Sequence, residues 1–222
     1  MSSQEQVIGY TGENAIEEYI SAHIEPEGSL LSSLYRETNI KLLNPRMASG
    51  HIQGRLLKSF VQMIKPESIL EVGTFTGYAT LCMAEGLGEN GHIDTIEVDD
   101  ELEGFISKWI DKSPNKNKIS LHIGNALEVV PTLGKMFDLI FLDGEKREYP
   151  DYYRLLFDYV KVGGFIIADN TLWDGHVADP AYNKDQQTKA IREFNDMVAT
   201  DNRVSVSIVP VRDGLTLIRR NI

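Results

Sequence analysis

The chain has 222 residues, 42% hydrophobic and 25% charged, the balance of an ordinary folded domain and not of a disordered chain. A formal net charge of -11 and a pI near 4.9 argue against a nucleic-acid binder, which needs a basic face, and against docking on anionic membranes. The lone cysteine, Cys82, permits no intrachain disulfide, no apolar run approaches the ~20 residues that span a bilayer, and the polar N-terminus carries no signal pattern, so a cytoplasmic setting is expected.

Apolar residues recur at helical spacing over residues 16–24, 30–43 and 52–64. The apolar run 68–72, closed by Gly73, predicts a buried strand, and a helix is expected over 77–87. The alternation then continues: strand 92–97, helix 100–111, strand 118–123, short helix 126–133, strand 137–142, helix 149–160 and strand 164–168. An irregular stretch is expected over 170–185 and a helix over 186–199, with Ile191, Phe194 and Val198 on one face. Segments 203–209 and 215–219 predict a hairpin around Asp213-Gly214.

Strand alternating with helix in this way implies an α/β fold with a doubly wound, mainly parallel sheet. Ligands of such sheets bind beyond the carboxyl ends of the strands. Those ends are Glu71-Val72-Gly73, Glu97, Gly124-Asn125-Ala126, Asp143 and Asp169-Asn170. Four of the five carry a carboxylate, which folding of a sheet does not require.

Gly73 and Gly77 allow a tight turn after the first strand, but the spacing is not the G-x-G-x-x-G of a pyrophosphate loop. Glu71 would repel a diphosphate and suit an ammonium group. Glu97 ends the second strand, where an acid accepts hydrogen bonds from ribose hydroxyls. A ribose without a diphosphate, joined to a cationic amino-acid tail, points to S-adenosylmethionine over NAD. Asp143, Asp169 and Asn170 read either as turn residues or as half of an octahedral shell for Mg²⁺. Lys146, beside a divalent cation and a sulfonium, would have its pKa pushed down and act as a base. Trp173 reads either as a wall for a flat substrate or as a pin for its loop. The five histidines form no metal-ligating pair.

Together these residues resemble the cation-dependent class I O-methyltransferases, the group of the caffeoyl-CoA and catechol enzymes and their bacterial relatives. The resemblance runs from about Thr38 to Arg220 and rests on Leu70-Glu71-Val72-Gly73-Thr74-Phe75-Thr76-Gly77-Tyr78, Phe137-Asp138-Leu139-Ile140-Phe141-Leu142-Asp143, Asp169-Asn170-Thr171-Leu172-Trp173 and Asp213-Gly214-Leu215-Thr216. It implies a Rossmann-like methyltransferase sheet of about seven strands with a C-terminal antiparallel hairpin. It also implies one domain over 1–222, in which 1–65 contribute lid and substrate site and 66–222 form the core.

The resemblance further implies individual roles. Met47 and Ser49 lie over the methionyl part of the cofactor; Glu71, Gly73, Thr74 and Ala79 belong to its binding turn and the helix after it. Glu97 holds the ribose, and Asn125 and Ala126 flank the adenine. Asp143, Asp169 and Asn170 ligate Mg²⁺ or another divalent cation such as Mn²⁺ or Ca²⁺, with Asp143 also near the cofactor's amino group. Lys146 is the catalytic lysine, and Trp173 and Asp174 touch a phenolic substrate. No nucleic-acid or membrane partner is expected, and the assembly implied is a homodimer. There are departures: Ala79 stands where many relatives have Ser, Glu145 where many have Asp, and Asp174 where Asn is frequent. Ser207 falls where the mammalian catechol enzymes carry a glutamate. Three other classes fit the sequence less well: a nucleotide-dependent oxidoreductase, which should show a pyrophosphate loop; a metal-independent RNA methyltransferase, which should be basic; and a silent ligand-binding module, which would not need the acids and Lys146 together.

Overall fold

The fully buried side chains of Ile69, Leu70 and Val72 make β1 (Ser68–Val72) a central strand, covered on both faces as a parallel strand must be. In the computed structural model, which describes residues 9–222, β1 pairs in parallel with β2 (His92–Glu97) on one side and β4 (Phe137–Leu142) on the other. β3 (Ile119–Ile123), β5 (Val160–Ala168), β6 (Val204–Val209) and β7 (Leu215–Arg220) complete a seven-stranded sheet of order β3-β2-β1-β4-β5-β7-β6. β7 is antiparallel to both β5 and β6, so the sheet is mixed, mainly parallel, with the C-terminal hairpin at one edge. The sequence expectation of a doubly wound α/β sheet therefore holds.

The helices are α1 (Gly9–His23), α2 (Gly28–Lys41), α3 (Gly50–Ile64), α4 (Tyr78–Gly86), α5 (Glu103–Asp111), α6 (Ala126–Thr132), α7 (Tyr149–Leu156) and α8 (Gln186–Thr200). One core layer packs Tyr149, Leu156, Ile191 and Phe194 against the sheet; the other packs Leu57 and Val61 of α3 and Met83 of α4 against the opposite face. Cys82 is buried in a third cluster with Leu31, Leu34, Tyr78 and Trp109, the packing role its apolar surroundings suggest.

Two boundaries differ from the pattern-based reading. α7 stops at Leu156, and β5 starts at Val160 instead of Gly164. Phe157 and Tyr159 close the helix with short backbone bonds to Tyr153 and Leu156, and the 160–162 segment then enters the ladder with a register shift opposite Phe137 and Leu139. Gly163, with φ 85, makes that irregularity possible. The polar segment before residue 9 lies outside the described residues. Among the described residues no helix is long and apolar enough to cross a membrane.

Candidate active site

The strand order reverses at the β1–β4 boundary, and the backbone laces the strand ends together there. The Asp143 N–H donates to Val72 O at 2.8 Å, Asp169 N–H to Leu142 O at 2.9 Å, and Gly73 N–H to Ile96 O at 3.0 Å. The ends of β1, β2, β4 and β5 thus form one platform. Gly73 has φ 96, and a Cβ there would overlap the Asp143 main-chain carbonyl, so only glycine fits.

Glu71 is fully buried beneath this platform. Its Oε2 accepts hydrogen bonds from Thr80 and from Thr95, the latter at 2.6 Å, while its Oε1 has no partner among the described residues. Burial pushes the carboxyl up to about 8 despite the threonine donors, and the nearby acids Asp143 and Glu97 push the same way. An unpartnered buried carboxylate oxygen suits a cationic ligand group. Thr74 is spent on a neighbour, its hydroxyl 2.5 Å from that of Thr95. Ala79 is buried in the first turn of α4.

Glu97 also performs a task not read from the sequence. Its Oε2 accepts the Phe75 N–H at 2.7 Å and its Oε1 the Asp99 N–H at 3.0 Å. Phe75 is held at φ 50, so Glu97 fixes the strained turn of the 73–77 loop as well as facing it. Asn125 caps α6, its Oδ1 accepting the Leu127 N–H at 2.8 Å, with Ala126 buried behind it.

Asp143 and Asp169 stand at neighbouring strand ends. Lys146 Nζ donates to Asp143 Oδ1 at 2.7 Å and to Tyr149 Oη at 2.9 Å; the tyrosine hydroxyl in turn lies 2.9 Å from Asp169 O. Lys146 is buried, and burial alone would lower its pKa; Asp143 and Tyr149 outweigh burial and shift it upward. The upward direction comes from a carboxylate at contact distance; the lowered pKa expected from the sequence applies to a lysine with a divalent cation and a sulfonium beside it. Asp169 is raised by burial and by the charge of Asp143. Asn170 sits beside it at φ 57. The set offers only hard oxygen donors, the chemistry that Mg²⁺ or Ca²⁺ requires. A buried carboxylate with the charge of Asp143 beside it fits a cation. Among the described residues, no group of three or more His, Cys, Asp or Glu side chains is placed to hold a metal, and the third donor of this set is an amide.

Two residues of the set unnoticed in the sequence complete this corner. Tyr149 is wholly buried and packs edge-on against Phe194, 5.3 Å between centroids. Gln53 of α3 is likewise buried, its Nε2 donating to Asp169 Oδ2 at 2.5 Å. The signal for Tyr149 was its i, i+3 spacing from Lys146; Gln53 carried none, since its partner is 116 positions away.

The residues expected to touch substrate or cofactor differ in burial. Trp173, at φ 49, packs half-buried against the core, which leaves part of the ring free to meet a ligand. Asp174 is exposed, with its N–H donated to the Asp213 carboxylate. Met47 is 58% exposed, while Ser49, two residues on, is buried. Between α1, α2 and α3 opens a cleft of about 710 Å³, lined in part by Tyr35, Arg46, Ser49, His51 and Arg212. Ser207 is exposed on the outer strand β6, opposite Leu217 of β7.

An open α/β sheet with an acid-rich, glycine-turned switch point and a C-terminal antiparallel hairpin defines the class I methyltransferase architecture. The family model for O-methyltransferases matches residues 18–221, and the chain belongs to that family. Its relatives include caffeoyl-CoA O-methyltransferases of Stellaria longipes, 33% identical over 78% of this chain and 76% of that protein, and of Petroselinum crispum, 34% identical over 78% and 77%. Among solved structures, an O-methyltransferase of Streptomyces achromogenes involved in tomaymycin synthesis, in complex with SAM, is 26% identical, covers 94% of this chain and 96% of its own, and superposes with a TM-score of 0.87. An O-methyltransferase from Bacillus cereus, in complex with SAH, is 26% identical over 93% and 97%, with a TM-score of 0.86.

Proposed function

We propose that this O-methyltransferase transfers the methyl group of S-adenosylmethionine to one oxygen of a catechol-like vicinal diol, with a divalent cation at Asp143, Asp169 and Asn170. The observation that carries the reading is the joining, at one sheet switch point, of an unpartnered buried Glu71 oxygen and a second acid corner holding a buried lysine. In this reading Glu71 faces the cofactor's ammonium side and Glu97 its ribose. Met47, Ser49, Gly73, Thr74, Ala79, Asn125 and Ala126 line the rest of the cofactor. When bound there, a cation would supply Lewis acidity toward the acceptor.

Lys146 removes the proton of the acceptor hydroxyl. Bonds from its Nζ to Asp143 and Tyr149 hold the resting ammonium; with a cation and a sulfonium beside it the lysine would give up that proton, and the neutral amine, kept in the same place, would accept the one from the hydroxyl. Tyr149 stays protonated through burial and orients the amine. The acceptor oxygen then attacks the methyl carbon in line, the C–S bond breaks, and the electron pair stays on sulfur. Holding the two reactants in line supplies much of the rate. Residues 1–65, with Trp173 and Asp174, select the acceptor, and the chain works as a homodimer. The likeness to caffeoyl-CoA O-methyltransferases favours a phenolic acceptor.

The test is an acceptor screen with labelled S-adenosylmethionine, run with Mg²⁺ and after EDTA treatment. Methylation of a vicinal diol that EDTA abolishes and Mg²⁺ restores is the expected result. Full activity in metal-depleted protein refutes the metal reading.

A further inference from the structure

We infer that Gln53 and Arg212 are positioning residues that fix the rotamer of Asp169 and thereby set the affinity of the acid corner for its cation. The inference rests on the metal reading of Asp143, Asp169 and Asn170.

The two residues form a directed relay. Arg212 Nη1 donates to Gln53 Oε1 at 3.3 Å, and Gln53 Nε2 donates to Asp169 Oδ2 at 2.5 Å. A guanidinium only donates and an ionised carboxylate only accepts. The group between them must accept at one end and donate at the other, which the Gln53 amide does in the orientation its two partners dictate. Glutamate would repel Asp169, and an apolar side chain would leave two polar partners unsatisfied. The bond is made in the interior, with Gln53 1% exposed, where a held geometry is not averaged by water. The other Asp169 oxygen accepts the N–H of Asn170 at 2.7 Å. Both oxygens are therefore tied, and the carboxylate plane cannot turn freely.

Arg212 shows a second mark of selection for position. It is a non-glycine residue at φ 49, next to Asp213 and Gly214 in the β6–β7 turn. Non-glycine backbone in this region persists where the surroundings over-determine it. Here the surroundings are the start of α3: the same Nη1 donates to the main-chain carbonyls of Ser49 and of Ala48, the latter at 3.3 Å. The turn also holds the loop after β5, through Thr171 N–H to Gly214 O at 3.1 Å and Leu172 N–H to Asp213 O at 2.9 Å. Arg212 thus clamps α3 to the hairpin that carries the Asn170 loop, and Gln53 passes that constraint to Asp169. Outer partners of this kind orient a ligand without touching the metal.

The experiment measures Mn²⁺ affinity by electron paramagnetic resonance, S-adenosylmethionine affinity by calorimetry, and thermal midpoint, on the full chain. The variants are Gln53→Met, which keeps length and loses both hydrogen bonds, Arg212→Gly, which relieves the left-handed backbone and loses the clamp, and Gln53→Glu. Gln53→Met and Gln53→Glu should weaken Mn²⁺ binding about tenfold or more, and cofactor affinity should stay within about twofold in the same samples. Arg212→Gly should weaken Mn²⁺ binding while its thermal midpoint is unchanged or higher, a split that a merely structural clamp would not give. Wild-type Mn²⁺ affinity in both Gln53→Met and Arg212→Gly overturns the relay and leaves the metal reading standing. A wild-type chain that binds no Mn²⁺ removes the metal reading and the relay with it.

Discussion

Gly73 and Asp143 meet main chain to main chain: the glycine Cα faces the aspartate carbonyl so closely that no Cβ fits between them. This contact presses the end of β1 onto the end of β4, and it brings the turn after β1 beside the Asp143–Lys146 pair. The two halves of the proposed site are therefore one construction, and a change at the contact should be felt in both.

Gly73→Ala tests that coupling. The added methyl meets backbone, which cannot swing aside, and φ 96 is unfavourable for alanine. The variant should lose about 2–4 kcal/mol of stability, and its cofactor affinity should fall in calorimetry. A thermal midpoint equal to wild type would show that the strand ends can part without cost.

Glu71 should leave a pH signature in the ligand-free protein. Its folded-state pKa is raised to about 8 from an ordinary 4.5, so the folded chain binds a proton that the unfolded chain has released. Stability contributed by this group is therefore present at low pH and declines as pH rises from about 5 to 8. Glu71→Gln, which cannot ionise, should flatten the fall of the thermal midpoint over that window. It should also weaken S-adenosylmethionine binding, since the charge facing the ammonium is gone. Identical midpoint-versus-pH curves for the two proteins would show that Glu71 is ionised throughout.

Glu97 is assigned to ribose and to the 73–77 turn together. Glu97→Ala should weaken S-adenosylmethionine binding more than tenfold, because hydrogen bonds to a charged acceptor contribute about 1.5–3 kcal/mol each. Glu97→Gln keeps one acceptor oxygen for the Phe75 N–H and should retain more stability than Glu97→Ala. Unchanged calorimetric affinity in Glu97→Ala would remove this residue from the cofactor site.

Lys146 separates chemistry from binding. Lys146→Ala should lower kcat by about 10²–10⁴-fold, the usual contribution of a positioned base, with little change in cofactor affinity. Lys146→Arg should also fail, because a guanidinium keeps its proton. In the ligand-free chain Asp143 and Tyr149 hold the lysine protonated, so its activity as a base depends on the loaded site. The measurement is kcat against pH for the three proteins on one diol. Near-wild-type kcat for Lys146→Arg at neutral pH would make the residue a fixed positive charge and no base.

Much of this protein was legible along the chain. The alternation of short apolar runs with helical spacing gave the parallel order, and the polar residues closing each run marked the platform: Glu71, Glu97, Asp143 and Asp169 all sit at strand ends. Local sequence suffices there because burial on both faces dictates the strand, and the acids fall in its last two residues, Glu71 and Glu97, or directly after it, Asp143 and Asp169. The α7 and β5 boundaries were less legible, since Phe157, Tyr159 and Val160 suit either element and only the register beside Phe137 decides between them.

Partnership was decided by the tertiary structure alone. Nothing near Gln53 in the sequence announces Asp169, and nothing near Arg212 announces Ser49; these contacts exist because α3 and the hairpin are packed on the same end of the sheet. The direction of the Lys146 shift belongs to the same class. The sequence gives spacing and residue type, but proton affinity depends on distance to opposite charge, here 2.7 Å to Asp143. Chain order specifies which groups reach the strand ends, whereas side-chain packing in three dimensions specifies which of them touch, and hydrogen bonds and charge interactions act only between groups that do.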